Sequence, residues 1–456
     1  MKKQIEKISL ENFGIVLLFL FPIIASVYYA LALPVSFDEA ATFLLFTNKG
    51  FIATTTHYPA PNNHVLHSVI TNFTKQIPYL SSLFKLRISS VFINIGALIV
   101  LYKFVANHYN KKMALIVVAI SSMLFLNIYY SYMSRGYALV NLFFIASLYC
   151  SFNIVKGENT TKNWLLFSIF SIFGFYTMPS YLYPFLTLNC FLFVYQSKNI
   201  WKQLFSNAAI TLVVFLLYLP IIYNEGLSAI TNNPYVQPIG FVNTVKSLPL
   251  FYLKTIQEIT GIHWIVICLL LCVSFYFIVK SQNKMNLYFS ILFITAPIIL
   301  LSAHCVIPYS RIFNYYGFII VLLIFLPFAA KIDTLKLRSL IPVLLLIQIF
   351  LLLNFESKIY AYEDRDLALN ITGDKIISRI AGNKKHLFNN SLLSYNLEFQ
   401  LISKGYKNYQ IKEVDYKKIS ADSISDFDFI IIKKEEDYTK NKKALFITAY
   451  YNVYEN

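Results

Sequence analysis

Long runs of apolar residues, separated by short polar stretches, dominate the first 355 residues of the chain. A helix needs about 20 apolar residues to cross the hydrocarbon core of a bilayer, and runs of roughly that length recur throughout this part. The pattern predicts about eleven membrane-spanning helices, at residues 13–34, 88–106, 113–131, 137–155, 163–178, 180–196, 204–223, 263–280, 287–304, 312–330 and 338–354.

Composition agrees with a membrane location and narrows the class further. Of the 456 residues, 57% are hydrophobic and only 14% are charged, and the mean hydropathy is +0.57. A soluble protein of this length carries far more charge. The net charge of +16 does not indicate a nucleic-acid partner, because most of the positive residues sit in short loops. The five cysteines do not form a disulfide framework.

The basic residues predict how the chain is oriented. With the N-terminus in the cytoplasm, every second loop is cytoplasmic, and each of these loops is basic, as the positive-inside rule requires. Their basic residues are Lys103, Lys111 and Lys112, then Lys156 and Lys162, Lys198 and Lys202, Lys280 and Lys284, and Lys331, Lys336 and Arg338. Two outer loops, 34–87 and 224–262, are long. An odd number of spans places the C-terminus outside the cytoplasm.

The composition changes after Asn354, where the chain becomes polar and charged. Short β-like runs (HLFNN, YQIKEV, FDFIIIKK and ALFITAYYNVY) alternate with the helical stretches RDLALNITGDKIISRIAG and SYNLEFQLISKG. We therefore predict an all-α polytopic membrane domain at 1–355 and a small α/β extracytoplasmic domain at 356–456.

The loop after the first span carries an acidic pair, Asp38 and Glu39. Ser36 and Glu39 have the spacing of a helix capping box, so a structural role for Glu39 weighs as much as a catalytic one. Asp38 has no such duty. A carboxylate at this membrane surface can take a proton from an acceptor hydroxyl or bind a divalent cation. We take both as catalytic candidates.

The same loop continues with YPAPNNHVLHS, which places His64 and His67 three residues apart on a new helix. Two imidazoles near an acid can ligate a metal, with Asp38, His64 and His67 as the possible set. Hydrogen bonding of His64 to substrate is the favoured alternative, since no third ligand is fixed by spacing. The earlier His57 is a weaker candidate.

Two isolated arginines are predicted at the same membrane face as Asp38. Arg135 lies in the turn after the third span, before Tyr137, and Arg311 follows Tyr309 at the start of the tenth span. Such arginines often extend towards lipid headgroups. A guanidinium fork surrounded by hydroxyls and tyrosines also suits a phosphate or diphosphate, and we expect phosphate binding at both. The neighbouring Tyr137 and Tyr309 are candidates for the same substrate- and phosphate-binding site.

Taken together, the acidic pair after the first span, the PNNH loop and the Arg-Gly-Tyr turn resemble the polyprenyl-phosphate-sugar-dependent glycosyltransferases of the GT-C membrane fold, such as protein O-mannosyltransferases and aminoarabinose transferases. The resemblance covers about residues 1–355. It departs at PNNHVLH, where the family has a proline-rich loop.

The resemblance implies an inverting transfer of a hexosyl or pentosyl group from a polyprenyl-phosphate carrier in the membrane to an acceptor glycan, lipid or protein on the outer face. It implies Asp38 as the acid that activates the acceptor, Glu39 as its orienting neighbour, Arg135 and Arg311 as phosphate ligands, and His64 near the donor. It implies no nucleotide, and a divalent metal stays open.

Two other classes share a polytopic architecture. A lipid-linked glycan flippase or another transporter places charges near the midplane of several spans and often has internal repeats. A non-catalytic scaffold has no need for an acid and two arginines at one membrane face. The clustering of charges at a single face favours the enzyme.

Overall fold

A computed structural model describes residues 2–59, 61–158, 160–196, 200–233, 235–380, 386–389, 393–407, 409–413, 428–434, 443–448 and 450–455. Ala60 of the YPAPNNHVLHS loop, Lys198 of a predicted cytoplasmic loop and parts of the β-like runs lie outside the described residues.

Helices account for nearly all of the described chain before residue 363. In chain order they are α1 Lys2–Ala32, α2 Phe37–Leu45, α3 Phe51–Thr56, α4 Val65–Thr74, α5 Ser82–His108, α6 Lys111–Ser121, α7 Phe125–Tyr132, α8 Tyr137–Val155, α9 Thr160–Thr177, α10 Leu182–Gln196, α11 Ile200–Glu225, α12 Ser228–Thr231, α13 Phe241–Thr260, α14 Trp264–Lys280, α15 Lys284–His304, α16 Tyr316–Phe325, α17 Ala329–Thr334 and α18 Leu337–Tyr362.

Within the described residues, seven helices are long and apolar enough to cross a membrane, and up to nine spans result if each of two bent pairs counts as one. Each of the eleven predicted segments lies on helical chain, including the shorter α9 and α10. The prediction of a polytopic helical membrane protein is confirmed in this coarser form. The count of eleven stays a prediction.

One predicted span, 113–131, is broken into two helices. Helices α6 and α7 meet at a bend of 76°, and Leu124 between them is extended. The Asn127 side chain donates to the carbonyl oxygen of Ser121 at 2.7 Å, which satisfies a backbone acceptor freed by the break. The bend directs the end of α7 towards the loop after α1.

The long predicted loop 224–262 is largely helical. Helix α13 occupies Phe241–Thr260 and is bent by 97° from α14. It packs against a short 3-10 turn at Ser310–Phe313 through the rings of Phe251 and Phe313. Thr255 donates to the Ser310 hydroxyl at 3.0 Å. The loop therefore supports the turn that carries Arg311.

The C-terminal part combines helices with a five-stranded mixed sheet. Its elements are α19 Asp364–Ile380, β1 His386–Asn389, α20 Leu393–Ser403, β2 Gln410–Glu413, β3 Phe429–Lys433, β4 Phe446–Ile447 and β5 Tyr451–Glu455. The strand order is β2-β1-β3-β5-β4, in which β1 is parallel to both neighbours and β5 is antiparallel to both of its own. The last β-like run thus contains two strands.

This part packs directly on the loop after α1. The rings of Phe43 and Phe399 meet edge to face with centroids 5.3 Å apart. Asn370 and Asn396 both donate to the carbonyl oxygen of Val35, at 2.7 and 3.1 Å. Helix α18 runs through the expected boundary at 355–356 to Tyr362. The C-terminal elements are consequently held against the start of α2.

Candidate active site

A pocket of about 330 Å³ opens where four distant segments of the chain meet. These segments are the start of α2, the end of α7 with the turn that follows it, the turn at Ser310–Phe313, and the junction of α18 with α19. The lining residues are Ser36, Asp38, Tyr129, Tyr130, Met133, Arg135, Arg311, Tyr362, Glu363, Arg365 and Asp366. The pocket is thus rich in charges and phenol groups.

The capping box places the two acids of α2 on different sides. Ser36 caps the helix, since its hydroxyl accepts from the Glu39 amide at 3.3 Å and its own amide donates to Glu39 Oε2 at 3.1 Å. Glu39 therefore points into the protein, where it is buried. The side chain of its neighbour Asp38 lines the pocket and is 30% exposed.

Asp38 lies between the two arginines that the sequence singled out. Its Oδ2 accepts from Arg311 Nη1 at 3.3 Å and lies 3.9 Å from Arg135 Nη2. Burial on its own would raise the pKa of Asp38, but the charges of Arg135, Arg311 and Arg365 lower the pKa below its usual value. The pocket therefore holds an ionised carboxylate between cations.

Arg135 is buried and held rigidly. Its Nη1 donates to the Thr42 hydroxyl at 2.7 Å and to the carbonyl oxygen of Asn62 at 2.9 Å. Its Nη2 lies 3.3 Å from Nε2 of His64. These contacts use donors that a guanidinium presents in a fixed plane, so its orientation is set before any ligand arrives.

Arg311 is held more loosely. Its side chain is 35% exposed, and its guanidinium lies over the Tyr309 ring at 4.8 Å from the centroid. Among the described residues, only Asp38 forms an ion pair with it. The pocket thus combines one fixed arginine with one that is free to follow a ligand.

His64 supports the turn that carries Arg135. Its Nδ1 accepts the Gly136 amide at 2.7 Å, and its ring meets the ring of Tyr137 edge to face. A side chain at Gly136 would come within 2.9 Å of His64, so only glycine allows this approach. Burial and the nearby charge of Arg135 hold the pKa of His64 well below its usual value.

The possible metal set is not brought together. His67 is buried and its Nε2 lies 3.0 Å from the Ser90 hydroxyl, while both ring nitrogens of His64 already face Arg135 and Gly136. Among the described residues, no group of three or more His, Cys, Asp or Glu side chains has the arrangement of a metal site. His57 lies beside Asn224 and is not part of the pocket lining.

Glu39 forms a buried ion pair with Arg87, a residue that the sequence did not single out. Arg87 donates through Nε to Oε1 at 2.9 Å and through Nη2 to Oε2 at 2.6 Å. Oε1 also accepts the Ser134 amide at 2.7 Å. Both carboxylate oxygens are therefore occupied, and the pair joins α2, α5 and the turn that precedes Arg135.

A second set of unexpected residues comes from the α18–α19 junction. Glu363, Arg365 and Asp366 all line the pocket. The Tyr129 hydroxyl donates to Glu363 Oε1. Burial and the nearby Asp366 charge raise the pKa of Glu363 from 4.5 to about 7. The pocket thus contains carboxylates in contrasting environments.

No protein-family model matches the chain, and no curated protein sequence matches it. The structure, however, is similar to the crystal structure of ArnT from Cupriavidus metallidurans in the apo state, with a TM-score of 0.62. The match covers 97% of this chain and 98% of that chain, at 10% sequence identity. ArnT is an aminoarabinose transferase of the GT-C fold. The present chain has the GT-C fold.

The GT-C fold agrees with the resemblance noted in the sequence, and it does not favour the transporter alternative. Of the residues proposed from the sequence, all of which lie in the described part, Asp38, Arg135 and Arg311 line the pocket. The other proposed residues do not line the pocket; they are Tyr137, Tyr309, Glu39, His64 and His67. The Tyr309 ring lies against the Arg311 guanidinium, and the Tyr137 ring contacts His64. The charged run EDRD at 363–366 was the available signal for the α18–α19 residues.

Proposed function

We propose that this protein is a membrane glycosyltransferase that moves a sugar from a polyprenyl-phosphate carrier to an acceptor on the extracytoplasmic face. The observation that supports it best is the convergence of Arg135 and Arg311 on Asp38 in the pocket. Two guanidinium groups beside membrane-spanning helices suit a phosphate on a lipid tail. The acceptor can be a glycan, a lipid or a protein.

The donor phosphate would take the place that the Asp38 carboxylate holds between Arg135 and Arg311. Arg135 is fixed by Thr42 and Asn62, so it provides a rigid half of the phosphate site. Arg311 can turn towards the incoming phosphate, because Asp38 is its one ion-pair partner among the described residues. During transfer the same two cations stabilise the charge that develops on the departing phosphate.

Asp38 then becomes available as the base. Once the phosphate pairs with the arginines, they no longer lower the pKa of Asp38 to the same extent. The acceptor oxygen attacks the anomeric carbon of the sugar, the bond from that carbon to the phosphate oxygen breaks, and the hydroxyl proton passes to Asp38. A single displacement of this kind inverts the configuration of the anomeric carbon.

Glu39 and His64 serve this reaction through position. The Glu39–Arg87 pair fixes the first turn of α2, and the amide of Ser134 ties the next segment to it. His64 holds Gly136 and Arg135 on the other side of the same turn. Together they set the separation between the base and the phosphate site.

The direct test is to incubate purified protein with a panel of polyprenyl-phosphate sugars and measure which donor is consumed. Arg311→Ala should weaken donor binding by about tenfold or more, because a charge-assisted hydrogen bond is lost. Arg311→Lys should restore only part of the affinity, since a lysine is a point charge without the fork.

Arg338→Ala is the matched control, because Arg338 is an exposed arginine at the other end of α18. It should bind and consume the donor like the unaltered protein. If no polyprenyl-phosphate sugar is bound or consumed, or if Arg311→Ala binds the donor as well as Arg338→Ala does, the proposed function is wrong.

A further inference from the structure

Glu363 differs from Asp38 in having no cationic partner. Its side chain is buried, and among the described residues it forms no ion pair. The Tyr129 hydroxyl occupies Oε1, and no described side chain donates to Oε2. A buried carboxylate that keeps an unused acceptor oxygen beside a pocket is available to a ligand.

Several charged or titratable groups surround Glu363 from the elements packed against it. They are Glu39 on α2, Arg87 on α5, Tyr129 and Tyr132 on α7, Tyr362 on α18 and Asp366 on α19. Arg87 is already paired with Glu39, so that carboxylate largely neutralises its charge. Apart from this pair, the charged groups next to Glu363 are Asp366 and Arg365, which contact each other at 3.4 Å, and its remaining titratable neighbours are tyrosines.

These surroundings decide which part of a substrate can bind there. A phosphate would be repelled by Glu363 and Asp366 together, whereas a neutral hydroxyl can donate a hydrogen bond to the free oxygen. Arg135 and Arg311 form the side of the pocket that binds the phosphate. The α18–α19 junction forms another side, where Glu363 does not contact the phosphate.

We propose that Glu363 receives a hydrogen bond from a second, non-reacting hydroxyl or N–H of the acceptor, next to the attacking hydroxyl, and that Tyr129 fixes the orientation of its carboxylate. This role rests on the glycosyl transfer proposed above. Asp38 takes the proton of the attacking hydroxyl, while Glu363 holds the neighbouring donor group and so keeps the attacking oxygen in line. Glu363 is thus an acceptor-binding residue contributed by the C-terminal part of the chain.

The role gives acceptor binding a pH dependence of known sign. With the pKa of Glu363 near 7, its carboxyl is mostly neutral at pH 6 and mostly ionised at pH 8. The ionised form is the stronger hydrogen-bond acceptor. If only that form binds, the acceptor KM is about tenfold higher at pH 6 than at pH 8.

The test uses the full-length protein, a polyprenyl-phosphate sugar that it consumes, and detergent-solubilised cell membranes as the acceptor mixture. Transfer into membrane material and loss of donor to water are measured separately at pH 6 and pH 8. Glu363→Gln should raise the half-saturating acceptor concentration about tenfold at pH 8. It should remove the pH dependence of that concentration and lower transfer more than it lowers donor loss to water.

Two further variants keep the interpretation clear. Glu356→Gln is the matched control, because Glu356 lies near the end of α18 and also accepts from a tyrosine, Tyr29, but does not line the pocket. It should behave like the unaltered protein. Tyr129→Phe keeps the Glu363 carboxylate but frees its orientation, so it should weaken acceptor saturation by a smaller factor than Glu363→Gln.

Each result distinguishes the two proposals. If the unaltered protein consumes no polyprenyl-phosphate sugar, the proposed function fails and the role of Glu363 fails with it. If the protein transfers sugar but Glu363→Gln saturates with acceptor normally, only the role of Glu363 is wrong. Equal losses of donor hydrolysis and transfer, or an unchanged pH dependence in Glu363→Gln, would also overturn it.

Discussion

Asp38 has two roles in the proposed mechanism, as the counter-charge of the two arginines and as the base. Its carboxylate neutralises Arg311 and part of the charge of Arg135. A phosphate that enters must compete with it for both cations. Donor binding and base activation are therefore linked in the proposed mechanism, because the same event neutralises the arginines and releases the carboxylate.

Asp38→Asn tests this link, because asparagine keeps the size of the side chain but cannot accept the proton. Turnover should fall by about 100-fold or more, as expected when a general base is removed. Donor affinity should be retained, since the arginines lose a competitor. Turnover and donor affinity are to be measured side by side with those of Arg135→Ala and Arg311→Ala.

Asp374→Asn is the control for this change, as Asp374 pairs with Lys404 on the exposed surface of the C-terminal part. It should leave both quantities unchanged. If Asp38→Asn lost donor binding while both arginine variants kept it, the assignment of base and phosphate ligands would be wrong.

Sequence reasoning reached these three pocket residues because charges at the ends of apolar runs are unusual. Asp38 belongs to an acidic pair directly after the first span, and Arg135 and Arg311 are each the one charged residue in their turn. Sequence reasoning missed Glu363 and Asp366, because a charged run just after the last span is common and does not by itself indicate a pocket residue. Their place in the pocket depends on contacts with distant segments of the chain, such as Tyr129 with Glu363 and Asn370 with Val35.

At the scale of elements, the Glu39–Arg87 pair determines how the loop after α1 is attached to the helices. Arg87 donates to Glu39 and also to the carbonyl oxygens of Leu33 and Pro34, at 2.7 Å each. One buried guanidinium thus closes the end of α1 and the start of α2 at once. The capping box was predictable from spacing, but the ion pair was not, because 48 residues separate its members.

Removing one member of this pair should destabilise the protein strongly. Glu39→Gln leaves Arg87 buried without a counter-charge, which costs about 3–5 kcal/mol of unfolding free energy. Arg87→Met should cost a similar amount. The double variant should lose less than the sum of the two, because it buries no unpaired charge.

The measurement is thermal or denaturant unfolding of the detergent-solubilised protein, with the single and double variants compared in one cycle. Arg338→Met serves as the control, since Arg338 is exposed and its loss should change stability little. Additive losses in the double variant would show that Glu39 and Arg87 act independently, contrary to the contacts described.

The sequence predicted where the helices lie along the chain better than it predicted the angles between successive helices. The predicted segments fall on helices because the apolar runs fix where the chain can be buried in lipid. The length of an apolar run does not predict a bend, so the bends between α6 and α7 and between α13 and α14 were not predicted. At the first bend, the Asn127 side chain donates to a backbone carbonyl oxygen. The second bend follows α13, a helix in a stretch that its Asn and Pro content had marked as a loop.

At the scale of the whole molecule, the pocket joins segments that are far apart in the chain. Asp38 follows α1, Arg311 precedes α16, and Glu363 follows α18. The C-terminal part also packs on α2 through Phe399 and Phe43. A site built in this way requires the end of α1, the start of α16 and the end of α18 to lie on one side of the membrane.

This requirement leads to a prediction of topology. The basic loops place Lys280 and Lys284 in the cytoplasm, and the shared pocket places the C-terminal part on the same side as Asp38. A phosphatase that is active only outside the cytoplasm should therefore be active when fused after Asn456. The same reporter inserted at Gln282, between α14 and α15, should be silent and serves as the control. The reverse pattern would mean that the pocket faces the cytoplasm, and equal activity at both sites would mean that the number of spans between them is even.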